Sequence, residues 1–355
     1  MKCIKTAFGQ LADGRPVSLY MLTNDHGMRV CISDFGAIIT ALYVPDQHGV
    51  SANVVLGYDN LDDYINDRNY FGAVIGRYAN RIRQGCFELD DVRYQLQQND
   101  GPHHLHGGSH GFHKVLWQST SVEHSDSVGV VLNYVSVDGE SGYPGNLDVT
   151  VTYLLTQDNC LQVQYQASTD KATPVNLTQH SYFNLAAGGD ILQHRLHINA
   201  DSFTPVDSGL LPINGHQSVA DTAFDFRAAT MIGARINDVD AQLAVGRGYD
   251  HNYVLNKTSP GQLSLAARVL EPVTGRVLEL LTDEPGLQFY SGNFLDGSSL
   301  GRDGAIDYRN GFCLEPQHFP DSPNCLGFPS TILRPGELYT SRSQYRFNPR
   351  LPTNG

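Results

Sequence analysis

Five histidines, His103, His104, His106, His110 and His113, fall within HHLHGGSHGFH at 103–113, in a chain that holds 14 in all. Three kinds of chemistry could use such a run. Neutral imidazoles are common ligands of zinc, copper and nickel, and an extended His104-Leu105-His106 puts two of them on one strand face. A metal centre of that kind also wants a carboxylate close by, and residues 107–114 offer none. Second, GGSHG at 107–111 matches the G-x-S-x-G pattern of a hydrolase with Ser109 as nucleophile. That elbow needs an apolar strand before it and a helix after it. Here GPHHL precedes, and FHKVLWQS, which reads as the start of a strand, follows. In the third reading Gly107 and Gly108 let the backbone approach a ligand while a neighbouring histidine donates to it. His106, beside the glycines, is then the residue to follow, and His103, His110 and His113 belong to a surface loop.

Whatever holds these residues is built from strands. Val149, Val151 and Tyr153 alternate with threonines, and Leu161, Val163, Tyr165 and Ala167 alternate with glutamines, a period of two that marks half-buried strands. The polar TQDN between the two runs makes them a hairpin. A second hairpin is expected in CFELDDVRYQL, turning at Asp90-Asp91. A third is expected in LAARVLEPVTGRVLELL, turning near Pro272 to Gly275, and LYTSRSQYRF reads as a further strand. Helical periodicity is scarce: LDDYINDRN and AATMIGARIND are each read as a short helix. Many strands with short turns predict an all-β protein, a large antiparallel β-sandwich. With no linker, charge block or internal repeat, residues 1–355 are read as a single domain.

Composition narrows the partners. Lys and Arg total 24 against 37 Asp and Glu, a formal charge of −13. Nucleic acid and anionic membrane surfaces are therefore poor partners, and a small neutral ligand suits the chain better. MKCIKTAFGQLADG lacks the apolar core of a signal peptide, and the longest apolar run, near Ala37 to Val44, is too short to span a bilayer. Six scattered cysteines with no C-x-x-C pair are expected as free thiols in a cytoplasmic protein. The NLT sequon at Asn176 carries no meaning without export.

Eight motifs then occur in order along nearly the whole chain. They are GRYANRI (76–82), HLHGG (104–108), GFHKVLW (111–117), GYPGNL (142–147), TPVNLTQHSYFNL (173–185), GYDHNY (248–253), LQFYSGNF (287–294) and CLEPQHFPDSPN (313–324). Together they resemble the aldose 1-epimerases, the galactose mutarotases. The resemblance implies the large antiparallel sandwich of that family. It also implies interconversion of the α and β anomers of free hexoses such as galactose and glucose, with no organic cofactor and no catalytic metal. It implies Glu315, in CLE, as general base and His180, in the QHSYFN segment, as general acid. The implied substrate-binding residues are Asn80, Arg81, His106, Tyr182, Asp250 and Gln288. Nothing in the sequence chooses galactose over glucose, or monomer over homodimer. Gln179, His104 and His113 depart from the family pattern and leave the shape of the site's rim open.

The implied chemistry suits the residues. Mutarotation breaks the bond between C1 and the ring oxygen, so the anomeric hydroxyl loses a proton while the ring oxygen gains one. After rotation about C1–C2 the ring closes with both transfers reversed, and one base and one acid suffice. A carboxylate and an imidazole are matched to these tasks near neutral pH. Strand parity agrees: His180 shares a face with Tyr182, and Cys313 with Glu315, while Phe183 and Leu314 point the other way. Three other functions remain open. A glycoside hydrolase would cast Asp250 and Glu315 as its two carboxylates and leave His180 without a role. A non-catalytic sugar sensor would need Glu315 or His180 lost. A hexose 6-phosphate enzyme would want more Arg or Lys around the site.

Overall fold

The computed structural model describes residues 1–213 and 215–348. Three antiparallel sheets dominate it. The largest has nine strands, in the order Gln118–Glu123, Ser127–Ser136, Leu147–Thr156, Cys160–Thr169, Tyr339–Phe347, Val277–Thr282, Ser264–Leu270, Arg195–Ile198 and Thr230–Met231. A six-stranded sheet runs Tyr182–Phe183, Phe312–Gln317, Gly286–Tyr290, Asp250–Leu255, Ala200–Phe203 and Gln217–Ser218. A five-stranded meander is built from residues 2–53. The three expected hairpins are present. Leu147–Thr156 pairs with Cys160–Thr169, Cys86–Leu89 with Val92–Gln95, and Ser264–Leu270 with Val277–Thr282. Asp90 and Asp91 both take positive φ, 51° and 60°, the conformation that a two-residue hairpin turn demands.

Alternation explains why the sheets stack. In Leu147–Thr156 every second residue is fully buried, and Val149, Val151 and Tyr153 join a single core with Val30, Leu42, Phe289 and Leu314 from the other two sheets. Burying such faces is the main gain of folding, about 25 cal/mol per Å² of apolar surface. The order of the nine-stranded sheet is not sequential. Tyr339–Phe347 follows every other described strand in the chain, yet it lies between Cys160–Thr169 and Val277–Thr282, pairing with both. Tyr345 and Phe347 from this strand enter the common core.

Helix is confined to single turns and two short segments among the described residues. LDDYIN forms the helix Leu61–Asn66, where the Asn60 side chain caps the Asp63 N–H. The second expected helix, AATMIGARIND, is absent. Thr230–Met231 joins the edge of the large sheet, and only Ile232–Ala234 makes a 3₁₀ turn. Pairing of that segment with Arg195–Ile198 overrides its helical spacing. The helix lies just downstream, at Ala241–Gly246, where Asp240 accepts the N–H groups of Gln242 and Leu243. No helix among the described residues is long and apolar enough to cross a membrane. Asn176, the sequon residue, is fully buried, donates to the carbonyls of Ala79 and His318 and accepts the His318 N–H.

Candidate active site

One face of the six-stranded sheet floors a cleft. Register places Gln288 opposite Glu315 and Tyr290 opposite Cys313, while Asp250 faces Tyr290 from the next strand. Because side chains alternate, Asp250, Gln288, Tyr290, Cys313 and Glu315 share this face, and Leu287, Phe289, Phe312 and Leu314 go to the core. Tyr182 lies opposite Cys313 and extends the same face. His180 ends the Thr178–His180 strand, which is anchored by Ala73–Ile75, and its ring centroid lies 5.2 Å from that of Tyr182. The parity expected from sequence is the parity observed.

The wall comes from a two-residue ladder, Arg81–Ile82 against His104–Leu105. Asn80 and His106 flank it, both with positive φ, 65° and 52°. Each supports the other. Asn80 N–H donates to His106 Nδ1 at 3.2 Å, and His106 N–H donates to the Asn80 carbonyl at 3.2 Å. Arg81 Nε donates to Asp100 Oδ2 at 2.8 Å, which fixes the guanidinium over the cleft. Asn80, Arg81, His106, His180, Tyr182, Asp250, Gln288 and Glu315 therefore line one cleft, although they are scattered from 80 to 315 in sequence.

The histidine run divides by backbone geometry. His104 and His106 do not share a strand face, because the left-handed turn at His106 breaks the alternation. His104 is turned inward, with Nδ1 on the Gln97 carbonyl at 2.6 Å and Nε2 on the Tyr143 hydroxyl at 2.7 Å. His110 is exposed, as expected, and His103 Nδ1 accepts the Gln84 N–H. His113 is not a surface residue: it is buried against Tyr70, ring centroids 4.7 Å apart. Gly107 is required by the packing of the fold. A Cβ on Gly107 would stand 1.8 Å from the Gly76 carbonyl oxygen, so only glycine lets these two segments touch. FHKVLWQS begins with a 3₁₀ turn at Phe112–Lys114 before the strand at Gln118, and Ser109 lies on no nucleophile elbow. Gln179, like His104, is scaffold: it donates to the Gly72 carbonyl and accepts the Ser181 N–H. None of the three departures from the family pattern lines the cleft.

Six further residues line the cleft: Arg68, Asn69, Tyr70, Leu105, Tyr290 and Phe294. Tyr290 was within reach of the sequence, since it stands two residues from Gln288 on one strand. The Arg68–Tyr70 segment has no periodicity to reveal it. Tyr70 takes a positive φ of 61° and packs its ring against His106, His113 and His180, at 4.8, 4.7 and 5.8 Å between centroids.

Burial sets the electrostatics. Glu315 and His180 are 2% and 4% exposed, and Glu315 Oε2 stands 3.6 Å from His180 Nε2 with no hydrogen-bond partner. Desolvation, reinforced by Asp250 and opposed by Arg81, pushes the Glu315 carboxyl well above the usual range. Desolvation lowers His180 to about 4. It also raises Asp250, although Arg81 and the Gln288 amide, which donates to Asp250 Oδ1 at 2.7 Å, favour its anion. His106 falls well below the ordinary imidazole range, for burial and for its neighbours His180 and Arg81. A neutral His106 that accepts at Nδ1 carries its proton on Nε2, and so is a donor.

His106, His180 and Glu315 each place one ligand-type atom within 4.8 Å of the others. The tautomer fits a metal poorly: a lone pair on His106 Nε2 requires the proton on Nδ1, where the Asn80 N–H already points. The arrangement suits a polyol better. It offers a protonated imidazole nitrogen, a guanidinium fork and two amides, beside an unpartnered carboxylate oxygen.

The sequence profile of the family described as aldose 1-epimerase matches residues 18–346. The galactose mutarotase of Homo sapiens is 44% identical over 348 residues, covering 97% of this chain and 98% of that protein. The aldose 1-epimerase of Escherichia coli (strain K12) is 40% identical over 339 residues, covering 94% and 96%. Among solved structures, the galactose 1-epimerase from Lactobacillus acidophilus NCFM superposes with a TM-score of 0.88 at 32% identity, covering 98% of this chain and 99% of that one. An aldose epimerase homologue from C. elegans gives 0.85 at 29% identity, covering 94% and 99%.

Proposed function

Because the chain belongs to the aldose 1-epimerase family, we propose that this isomerase interconverts the α and β anomers of free hexoses such as D-galactose and D-glucose in this cleft. Glu315 is the base and His180 the acid. The observation that carries the reading is the buried pair itself: an unpartnered carboxylate oxygen 3.6 Å from an imidazole nitrogen, in a cleft also lined by Asn80, Arg81, His106, Asp250 and Gln288.

Glu315 takes the proton of the anomeric hydroxyl while His180 gives one to the ring oxygen. The aldehyde turns about C1–C2, and the ring closes on its other face as both protons return. This cycle needs Glu315 ionised and His180 protonated, whereas burial favours the neutral form of each. The two arrangements hold the same number of protons, so pH does not convert one into the other. Sugar does. A hydroxyl donating to Glu315 Oε2 stabilises the carboxylate, which in turn stabilises the imidazolium beside it. The proton pair is thereby readied by binding. Asp250, held by Gln288, accepts from sugar hydroxyls; Arg81, Asn80 and His106 Nε2–H donate, and Tyr182 bounds the ring.

Polarimetry tests this. Freshly dissolved α-D-galactose and α-D-glucose should reach their equilibrium rotation faster with the protein present, at a rate proportional to its concentration. Release of nitrophenol from a nitrophenyl glycoside would instead indicate a hydrolase. We also read the chain as a cytoplasmic protein, monomeric or homodimeric, whose partner is the small sugar.

A further inference from the structure

Cys313 lies two residues before Glu315 on the same face, and it has no part in the proton transfers described above. It is fully buried, and its Sγ stands 3.6 Å from His180 Nδ1, the nitrogen on the far side of the ring from Glu315. We propose that Cys313 is the positioning residue of the acid: its sulfur holds Nδ1 of His180, so that Nε2 is the nitrogen aimed at Glu315 and the substrate. The proposal rests on the reading of His180 as the acid.

The geometry favours this over simple packing. The six-stranded register fixes the Cys313 backbone from two sides, opposite Tyr182 and Tyr290, and its side chain is fully buried. Burial, with Glu315 and Asp250 nearby, holds the thiol protonated. An S–H can donate to Nδ1 of neutral His180, which places the ring proton on Nε2. When His180 is charged, the same sulfur becomes the acceptor for Nδ1–H, and it is a weak one. A carboxylate or hydroxyl in that place would stabilise the imidazolium more and make it a poorer acid. Sulfur therefore orients the ring without holding on to its proton.

The other groups around His180 do not supply this function. Glu315 faces Nε2. The rings of His106, Tyr70 and Tyr182 pack against the imidazole at 5.2, 5.8 and 5.2 Å between centroids. The carbonyl of His180 itself favours the charged ring, and it already receives the Gly72 N–H at 3.0 Å. Arg81 and Asp250 act on Glu315, one lowering and the other raising its carboxyl.

The test compares Cys313→Ser, close in shape but a stronger acceptor, with Cys313→Ala. The pKa of His180 is followed by NMR in full-length protein labelled at histidine nitrogen, with the signal assigned through His180→Asn. In Cys313→Ser we expect the pKa to rise by roughly one unit, with KM for galactose unchanged. In Cys313→Ala we expect kcat to fall by roughly 10- to 100-fold at unchanged KM, the usual cost of removing an orienting partner. If both variants keep the wild-type His180 titration and kcat while only the melting temperature moves, Cys313 is packing and the proposal is overturned. If His180→Asn itself retains full kcat, it is the assignment of the acid that fails, and the NMR shift still reports the Cys313 contact.

Discussion

Replacing Glu315 by Gln keeps the outline of the side chain and removes its capacity to take a proton; His180→Asn does the same for the acid. Each should cost about 10²- to 10⁴-fold in kcat, roughly 3–5 kcal/mol of barrier, while sugar binding followed by calorimetry persists. Near-wild-type turnover in either variant would remove that residue from the mechanism. The pH profile is the sharper measurement. In the proposed cycle activity requires one proton on the pair: two protons leave no base, and none leaves no acid. Because burial lowers His180 to about 4 and raises Glu315, the bell of kcat/KM should be wide, with its acid limb near 4 and its alkaline limb above the ordinary carboxylate range. Glu315→Gln should lose the acid limb, and His180→Asn the alkaline one. His106→Ala removes the Nε2–H donor and should raise KM and lower kcat. Exposed His110→Ala should be silent in both, and an equal effect would undo this division of the histidines. His113→Ala should lower thermal stability and disturb Tyr70, because the ring is buried there. Exhaustive chelation should leave turnover intact, since proton transfer needs no metal. Loss of activity that zinc or nickel restores would overturn that.

At the scale of elements, the cleft depends on ties between strands that the site residues do not make themselves. His318 follows the strand that carries Glu315, and its Nδ1 meets Glu284 Oε2 at 2.7 Å. Burial works against both charges, yet each partner prevails: His318 lies above its ordinary value of 6.5 and Glu284 below its ordinary 4.5. The histidine's contribution to stability is full below 6.5 and fades as pH rises through its raised value. The glutamate's is full above 4.5 and fades as pH falls through its lowered value. The pair should therefore stabilise most between 4.5 and 6.5, and melting temperature should fall from pH 6 to pH 9. His318→Gln should cost about 3 kcal/mol, at the low end for a buried pair because the histidine is partly exposed. It should also flatten that pH dependence in calorimetric melts. A slope unchanged in the variant would place its origin elsewhere. These ties mark the limit of what the sequence shows. The hairpins at 147–169, 86–95 and 264–282 were legible because period-two alternation and turn chemistry are local signals. The same parity aligned Cys313 with Glu315. The pairing that pulls Thr230–Met231 into a sheet is non-local, and so AATMIGARIND read as a helix. The positive φ at His106, a single dihedral, separated His104 from His106 where parity had joined them. The convergence of Asn80, Asp250 and Glu315 was legible only through ordered motifs, since no local pattern brings together residues so far apart.

At the scale of the whole molecule, the strand Tyr339–Phe347 closes the largest sheet by filling a gap between two strands that precede it. A chain ending at Leu338 would leave Cys160–Thr169 and Val277–Thr282 with unpaired edges and would remove Tyr345 and Phe347 from the core. We expect that truncation to lose its cooperative melt and to collect in the insoluble fraction. A synthetic peptide spanning 336–348, added during refolding, should restore solubility; full solubility without it would show that the sheet closes by another route. The strand's position also sets a clock. During synthesis at about 5–20 residues per second, roughly 10 to 30 seconds separate the appearance of Thr169 from that of Tyr339. Over that interval the Cys160–Thr169 strand presents an open edge to every neighbouring nascent chain. The burden of this architecture thus falls before the fold exists, on the ribosome-bound chain. Its yield in a cell should depend on translation speed and chaperone supply more than on the stability of the finished protein.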